Sequence, residues 1–240
     1  MMNILQIPKD FLLQCMLYFT LSEIILFSNT CRHLKQLSER IPFMELNIKI
    51  YQDDLDWILS YVGRFPLNRL TLGGTAFSDY GLTFIKTPLK VLNLDASFYT
   101  TDKALYAINC SALEEVHLSD CDVTIDTLSQ LNEKIIHTLS FVGCVLEEGV
   151  LRFLQNFKNL KCLNLSYTDI TDTDMILLNT NLMYLYLQGT QITDNAIRPL
   201  SKFPLKYLDV HHSFITLNGE AQLRNDLPDC KFRFSVRYPR

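Results

Sequence analysis

The sequence predicts an α/β fold of the solenoid type, in which short units of strand, turn and helix stack along the chain. An apolar motif with strand spacing recurs at a nearly constant interval through most of the 240 residues, and a second apolar set with helical spacing follows it. The composition agrees, because 48% hydrophobic and 20% charged residues are typical of a folded chain with a substantial core.

The strand half of each unit reads L-x-x-L-x-L, with a small polar residue or cysteine three positions later. Seven copies occur in phase, at Leu67/Leu70/Leu72/Thr75, Leu89/Leu92/Leu94/Ser97, Leu113/Val116/Leu118/Cys121, Ile136/Leu139/Phe141/Cys144, Leu160/Leu163/Leu165/Thr168, Leu182/Leu185/Leu187/Thr190 and Leu205/Leu208/Val210/Ser213. Weaker copies flank them at Leu46/Ile48 and Phe232/Phe234. The middle position moves from Leu46 to Leu208 in seven steps, and the mean period of about 23 residues lies within the range of leucine-rich repeats. The spacing therefore predicts a leucine-rich-repeat solenoid, or horseshoe, of eight or nine units over residues 43–240.

The second half of each unit predicts a helix. Apolar residues follow at steps of five and then three, in the sets Val123/Leu128/Leu131, Leu146/Leu151/Leu154, Ile170/Met175/Leu178 and Ile192/Ile197/Leu200. The step of three places the last two residues of each set on one helix face. A single unit cannot bury this face, so neighbouring units are expected to stack around a continuous core.

The Thr, Ser or Cys after each strand marks a bend, where a small side chain is expected to satisfy backbone polar groups. Cys121 and Cys144 lie 23 residues apart at this position and are expected to be stacked structural residues. Residues 43–235 resemble the cysteine-containing leucine-rich-repeat subfamily. The resemblance rests on the cysteines at the position after the strand and on the Ile-Thr-Asp turns Ile170–Asp172 and Ile192–Asp194. Members of that subfamily often follow an F-box, which makes the first forty residues the next segment of interest.

Residues 1–42 have the spacing of three short amphipathic helices. The first opens at Pro8, the second at Thr20 with Glu23 three positions later, and the third covers about Cys31–Leu37. A helical segment this short and apolar is too small to be stable alone. It therefore needs a partner surface, the adjoining repeats, or both.

This segment resembles an F-box. Six pairs occupy the places of the family pattern without a gap, namely Ile7/Pro8, Phe11/Leu12, Cys15/Met16, Tyr18/Phe19, Glu23/Ile24 and Cys31/Arg32. The chain departs from the pattern at Leu34, where tryptophan is usual, at Thr30, where valine is usual, and at Cys15, where a branched residue is usual. The resemblance makes residues 1–42 an F-box-like helical module that precedes the repeat domain.

The resemblance implies a function. F-box proteins dock through this module onto the Skp adaptor of a cullin–RING ubiquitin ligase, while their repeats hold a protein substrate near the transfer enzyme. The adaptor contacts that it implies are Pro8, Phe11, Leu12, Cys15, Met16, Phe19 and Ile24. The chain would then be a non-catalytic substrate-recognition subunit. The alternative is a plain leucine-rich-repeat interaction scaffold whose N-terminal helices only cap the solenoid. A GTPase-activating or inhibitor-type repeat protein is less favoured, because those families use longer units.

In such a repeat, the residues between and beside the strand leucines face the concave side of the solenoid. Most of these columns hold small or charged residues, but the last two full repeats carry Tyr184, Tyr186 and Tyr207, with His211 beside them. Tyr184 and Tyr207 lie one repeat apart, so we expect their strands to be about 4.8 Å apart. Exposed aromatic residues often anchor interfaces, which makes these four residues the candidate substrate-binding patch. The alternative is that the tyrosines reflect strand preference or are covered by the C-terminal tail.

Charge and composition restrict the other function classes. The net charge of −4 does not favour a nucleic acid or an anionic membrane as partner. Asp209, His211 and His212 have no third ligand or nucleophile at a suitable spacing, so we expect no metal, no cofactor and no catalysis. The seven cysteines include no C-x-x-C pair, which favours a reducing compartment. With no apolar run as long as a membrane span, we expect a cytoplasmic protein, the nucleus or a host cytosol being the other compartments considered.

Overall fold

The computed structural model describes most of the repeat region. These are residues 44–47, 56, 59, 60, 63, 67–72, 77–95, 101, 103–178 and 181–234. The helical module expected over residues 1–42 lies outside this part of the chain, as do the seven expected adaptor contacts between Pro8 and Ile24. The module and its contacts therefore stay predictions.

Nine parallel strands form one sheet within the described residues. Numbered in chain order together with a short outer pair, the strands are β1 Met44–Asn47, β2 Leu67–Thr71, β3 Val91–Asn93, β4 Glu115–Ser119, β5 Asp122–Val123, β6 Thr138–Val142, β7 Val145–Leu146, β8 Cys162–Asn164, β9 Tyr184–Tyr186, β10 Tyr207–Asp209 and β11 Lys231–Arg233. The sheet order is β1-β2-β3-β4-β6-β8-β9-β10-β11, and β5 pairs only with β7. One strand per repeat in unbroken sequence order is the arrangement of a solenoid, and the weaker flanking copies of the motif supply β1 and β11.

The middle residues of the strand motif stack in register through the sheet and form the centre of the core. This column contains Leu70, Leu92, Val116, Leu139, Leu163, Leu185 and Leu208. Leu139 and Leu163 are 0% and 1% exposed, which confirms the predicted repeat register. Full burial of one such side chain is worth about 1.5–3 kcal/mol, so the column is a main source of stability.

The segments that return from one strand to the next are short and varied. The α-helices are α1 Asp79–Leu82, α2 Ala104–Ala107, α3 Ile125–Ser129, α4 Val150–Phe153, α5 Ile197–Leu200 and α6 Leu217–Asp226. The 3₁₀ helices are Cys110–Ala112, Leu154–Asn156, Asp172–Leu177 and Asp194–Ala196. The sequence predicts the helix after Ile170 but not that it is a 3₁₀ helix. A 3₁₀ helix rises about 2.0 Å per residue, against 1.5 Å in an α-helix, so it spans a short unit with fewer residues.

In three repeats the small polar residue after the strand satisfies a carbonyl at the strand end, as expected. Thr168, Thr190 and Ser213 donate their hydroxyls to the carbonyl oxygens three positions earlier, at 2.6, 2.7 and 2.7 Å. Thr168 and Thr190 are buried, where an unpaired polar group would be costly. A larger apolar side chain could not make this bond, which explains the restricted choice of residue.

A carboxylate joins each of several repeats to the next, and we call this arrangement the aspartate clamp. Asp172 accepts hydrogen bonds from the backbone N–H and the hydroxyl of Thr193, both at 2.7 Å. Asp79 accepts the same two bonds from Thr101, at 3.0 and 2.7 Å. The arrangement recurs at Asp56/Ser78 and Asp194/Thr216. Because donor and acceptor belong to successive units, the clamp fixes the spacing of neighbouring return segments.

Candidate functional site

The side of the sheet that faces away from the core is the candidate binding surface, and we call it the open face. In β4, Val116 and Leu118 are buried, whereas Glu115, His117 and Ser119 beside them are partly exposed. A strand with one buried face alternates in this way. The strand register extends these positions across the sheet in two columns, as predicted. One column is Arg69, Val91, Glu115, Thr138, Cys162, Tyr184, Tyr207, and the other is Thr71, Asn93, His117, Ser140, Asn164, Tyr186, Asp209. Within these columns Val91, Ser140 and Asp209 are buried.

Three of the four residues predicted for the patch lie together on this face. In the β9–β10 pair, Tyr207 lies opposite Tyr184. The rings of Tyr186 and Tyr207 are in contact, with centroids 5.3 Å apart and planes at 43°. Tyr184 is 40% exposed, and the other two rings are half-buried. We call Tyr184, Tyr186 and Tyr207 the tyrosine patch.

The hydroxyls of Tyr186 and Tyr207 are held in their protonated form. Burial raises the pKa of Tyr186 and of Tyr207, and the negative charge of Asp209 adds to the effect at both. At neutral pH both hydroxyls are therefore neutral groups that can donate a hydrogen bond as well as accept one. The patch combines apolar ring surface with donors at its edge.

His211, the fourth predicted residue, takes part in a different contact. Its ring lies against that of His212, with centroids 3.8 Å apart, and its Nδ1 is buried without a hydrogen-bond partner. Its backbone N–H donates to Asp209 Oδ1 at 2.9 Å. Asp209 is 3% exposed and also accepts from Arg233 Nη1 at 3.4 Å, so this end of the open face carries a buried carboxylate with its charge compensated.

Sequence reasoning missed an exposed aromatic residue near the patch. Tyr167 is 54% exposed and has a φ of +59°, at the bend that follows β8. Its hydroxyl accepts a hydrogen bond from Gln188 Nε2, and a Cβ at Gly189 would lie 2.5 Å from Tyr167 Cδ1. A left-handed tyrosine has no signal of its own, because glycine, asparagine and aspartate favour that region. The sequence signal was that the equivalent residues of the adjoining repeats, Gly143 and Gly189, are glycines. In the structure both have a φ of +68°.

The first half of the open face is polar and largely self-paired. Ser119 Oγ donates to Asp95 Oδ1 at 2.6 Å. The two ring nitrogens of His117 lie 3.9 Å from carboxylate oxygens of Asp95 and Glu115. In the middle of the face Ser140 is buried. A partner would meet satisfied polar groups here and exposed aromatic surface at the other end.

The described residues hold no group of three or more His, Cys, Asp or Glu side chains placed to bind a metal ion. In the same part of the chain, no helix has the length and apolar character needed to cross a bilayer. The tyrosine patch is the candidate binding site.

Comparisons with known proteins agree with the repeat architecture. Two consecutive segments, residues 158–178 and 178–201, match the family model described as Leucine Rich repeat. The chain thus contains leucine-rich repeats, and its parallel sheet with one strand per unit is a solenoid of that class. The second matched segment includes Tyr184 and Tyr186 of the patch. No curated protein matches the chain.

Several solved structures are similar to the chain. The internalin InlF of Listeria monocytogenes is 16% identical with a TM-score of 0.56, over 78% of this chain and 52% of that one, so the chain spans about half its length. Internalin C2 of the same bacterium is 25% identical with a TM-score of 0.42, over 66% and 65% of the two chains. The structure of PEPR1-AtPEP1 gives 17% identity and a TM-score of 0.44, over 74% and 29%. The likeness to InlF shows the fold alone.

Proposed function

We propose that this chain is a non-catalytic scaffold that binds another protein through the open face of its last repeats. The observation that carries the proposal is the tyrosine patch, where three tyrosines of neighbouring strands meet on the exposed side of the sheet. Tyrosine offers a large contact area with only two side-chain torsions to fix, so a few such residues can supply most of the binding energy of an interface.

The support beneath the patch favours binding with little rearrangement. Leu185, between Tyr184 and Tyr186, and Leu208, next to Tyr207, are fully buried in the core. The contact between Tyr186 and Tyr207 already restricts both rings before a partner arrives. A preorganised surface loses less entropy on association, so more of the contact energy remains as affinity.

The test is the double substitution of Tyr186 and Tyr207 by alanine in the full chain. We expect it to weaken partner capture by about 30-fold, equivalent to roughly 2 kcal/mol, because it removes the central rings of the patch. The measurement is quantitative mass spectrometry of proteins retained from cell extract by the immobilised chain. The control is Tyr80→Ala, which removes a tyrosine of α1 that is more exposed than those of the patch, at 67%.

Three outcomes would contradict the proposal. If the double variant and wild type retain the same proteins, recognition does not use the tyrosine patch. If the double variant instead loses many degrees of melting temperature, the tyrosines serve the sheet, as the alternative of strand preference requires. Loss of capture by the Tyr80→Ala variant would show that the effect is not specific to the open face.

A feature of the sequence supports a finer proposal, that the chain presents its bound protein to a Skp-cullin-F-box ubiquitin ligase. The pairs between Ile7 and Arg32 follow the F-box pattern and directly precede the repeats. We expect the joint change of Pro8 and Phe11 to alanine to abolish co-purification with a Skp-type adaptor while the repeats stay folded. The tyrosine double variant is the control, because it should retain the adaptor. Unchanged co-purification would leave the plain scaffold as the better account.

A further inference from the structure

Two cysteines of neighbouring repeats lie against each other at the bend after the strands. The Sγ atoms of Cys121 and Cys144 are 3.8 Å apart. Cys144 is buried and also lies 3.7 Å from the carbonyl oxygen of Leu118, which agrees with the structural role expected of it. Cys121 is partly exposed. The pair therefore joins a buried thiol to one that a small solute can reach.

Backbone pairing on both sides fixes the separation of the two cysteines. β4 pairs with β6 just before them, and β5 pairs with β7 just after them, where Asp122 lies opposite Val145. The N–H of Val145 also donates to the carbonyl oxygen of Cys121 at 3.0 Å. Paired strands are about 4.8 Å apart, within the range of roughly 4.4–6.8 Å between the Cα atoms of a disulfide. Side-chain rotation is then sufficient to bring the sulfurs together, and the backbone can stay in place.

The pKa of Cys144 is shifted in the opposite direction to those of Cys110, Cys162 and Cys230. Burial raises the pKa of Cys110 and of Cys230 to about 11, and it also raises the pKa of Cys162. A hydrogen bond from Cys121 lowers the pKa of Cys144 by stabilising its thiolate. Because the thiolate is the reactive form, oxidation is expected to favour the pair over Cys110, Cys162 and Cys230, the other cysteines in the part of the chain that the structure describes.

We propose that Cys121 and Cys144 are a redox modification site, which closes to a reversible disulfide when it meets hydrogen peroxide. The one proton of the ionised pair can lie on either sulfur, so the more exposed Cys121 can react as the thiolate. It attacks one peroxide oxygen; the O–O bond breaks, a sulfenic acid forms, and the hydroxide that leaves takes up the proton released when the pair ionised. The thiol of Cys144 then attacks the sulfenic sulfur, so that the S–S bond forms, the S–O bond breaks and water leaves. In total, two thiols are oxidised to one disulfide and one peroxide is reduced to two waters.

The disulfide would connect two consecutive repeats in the middle of the array. It closes a loop of about one repeat, which constrains the unfolded chain and opposes separation of the two units. The expected result is a more stable array, with an increase in melting temperature of roughly 5–10 °C for a loop of this length. Reduction by a dithiol reagent should reverse the increase.

The experiment treats the reduced full-length chain with hydrogen peroxide, stops the reaction in acid, and alkylates the remaining thiols after unfolding. Peptide mass spectrometry under non-reducing conditions then identifies the linked pairs. We expect a Cys121–Cys144 peptide to accumulate about ten times faster than the oxidation of Cys162. Cys162→Ser, a matched change at another half-buried cysteine of the sheet, should leave the linked peptide and the increase in melting temperature intact.

Cys121→Ser should abolish both effects and leave Cys144 free for alkylation. The proposal is overturned if the two cysteines stay alkylatable after peroxide treatment, or if they accumulate sulfinic acid without the linked peptide. It is also overturned if Cys162 is oxidised as fast as the pair, since the contact between the two sulfurs would then confer no selectivity.

Discussion

The aspartate clamp between Asp172 and Thr193 provides a sharp test of how the repeats are held together. The carboxylate accepts two hydrogen bonds at 2.7 Å, from the backbone N–H and from the hydroxyl of the same threonine. Hydrogen bonds to a charged group are worth about 1.5–3 kcal/mol when buried, and less where water can replace the partner. Both residues are half-buried, so we expect Asp172→Ala to lower the free energy of unfolding by about 1–3 kcal/mol for the two bonds together.

Two further variants separate the clamp from a general effect of charge. Asp172→Asn keeps one acceptor oxygen but presents an amide to the second donor, so about half of the loss is expected. Asp169→Ala removes an exposed carboxylate of the same repeat and should change stability by less than about 0.5 kcal/mol.

Urea unfolding followed by circular dichroism gives the free energies, and amide hydrogen exchange gives a local measurement. In Asp172→Ala, the amide of Thr193 should exchange faster, whereas that of Thr216, bound by Asp194 in the next clamp, should keep its protection. The reasoning is refuted if the Thr193 amide stays as protected as in wild type. Equal losses of stability for Asp172→Ala and Asp169→Ala would also refute it, because they would reflect net charge.

Three other predictions concern the packing of the array. Leu163→Ala should cost about 2–5 kcal/mol in urea unfolding, because the side chain is 1% exposed; a loss below about 1 kcal/mol would contradict the assigned register. Gly219→Ala should lower the melting temperature, because its Cβ would collide with the carboxylate of Asp194, and a second change of Asp194 to alanine should recover part of the loss. Arg233→Ala should cost about 1–2 kcal/mol in thermal unfolding, because it removes a partner from the buried carboxylate of Asp209; an unchanged melting temperature would show that the pair adds nothing.

The regular part of the fold was predictable because each unit repeats the same burial problem. The leucine column from Leu70 to Leu208 follows from a period of about 23 residues, and any other register would expose several leucines at once. The same register predicts that Tyr184 lies opposite Tyr207, and the structure confirms it. Periodic positions are determined by their neighbours on both sides, so an error at one unit would be visible at the others.

Features that depend on a local backbone conformation were not predictable in this way. The contact between His211 and His212 arises at a bend where His212 has a φ of +57°, whereas neighbouring residues of a regular strand point to opposite faces. The sequence signal is indirect, because His212 is the equivalent of Gly189, a glycine with a φ of +68° in the preceding repeat. The aspartate clamp had a usable signal that was missed, since Thr-Asp recurs at Thr171 and Thr193 with the period of the repeat.

The last described strand bears on how a partner can approach. β11 has β10 as its one strand neighbour among the described residues, and a strand edge of this kind can accept another chain by backbone pairing. Lys231 and Arg233 are exposed on it, and charged side chains at an edge disfavour such addition. The guanidinium of Arg224 on α6 lies 5.7 Å and 5.1 Å from the ring centroids of Phe232 and Phe234, and so packs against aromatic surface at this end. Strand addition here would work against these features, which is consistent with the proposal that a partner binds the open face.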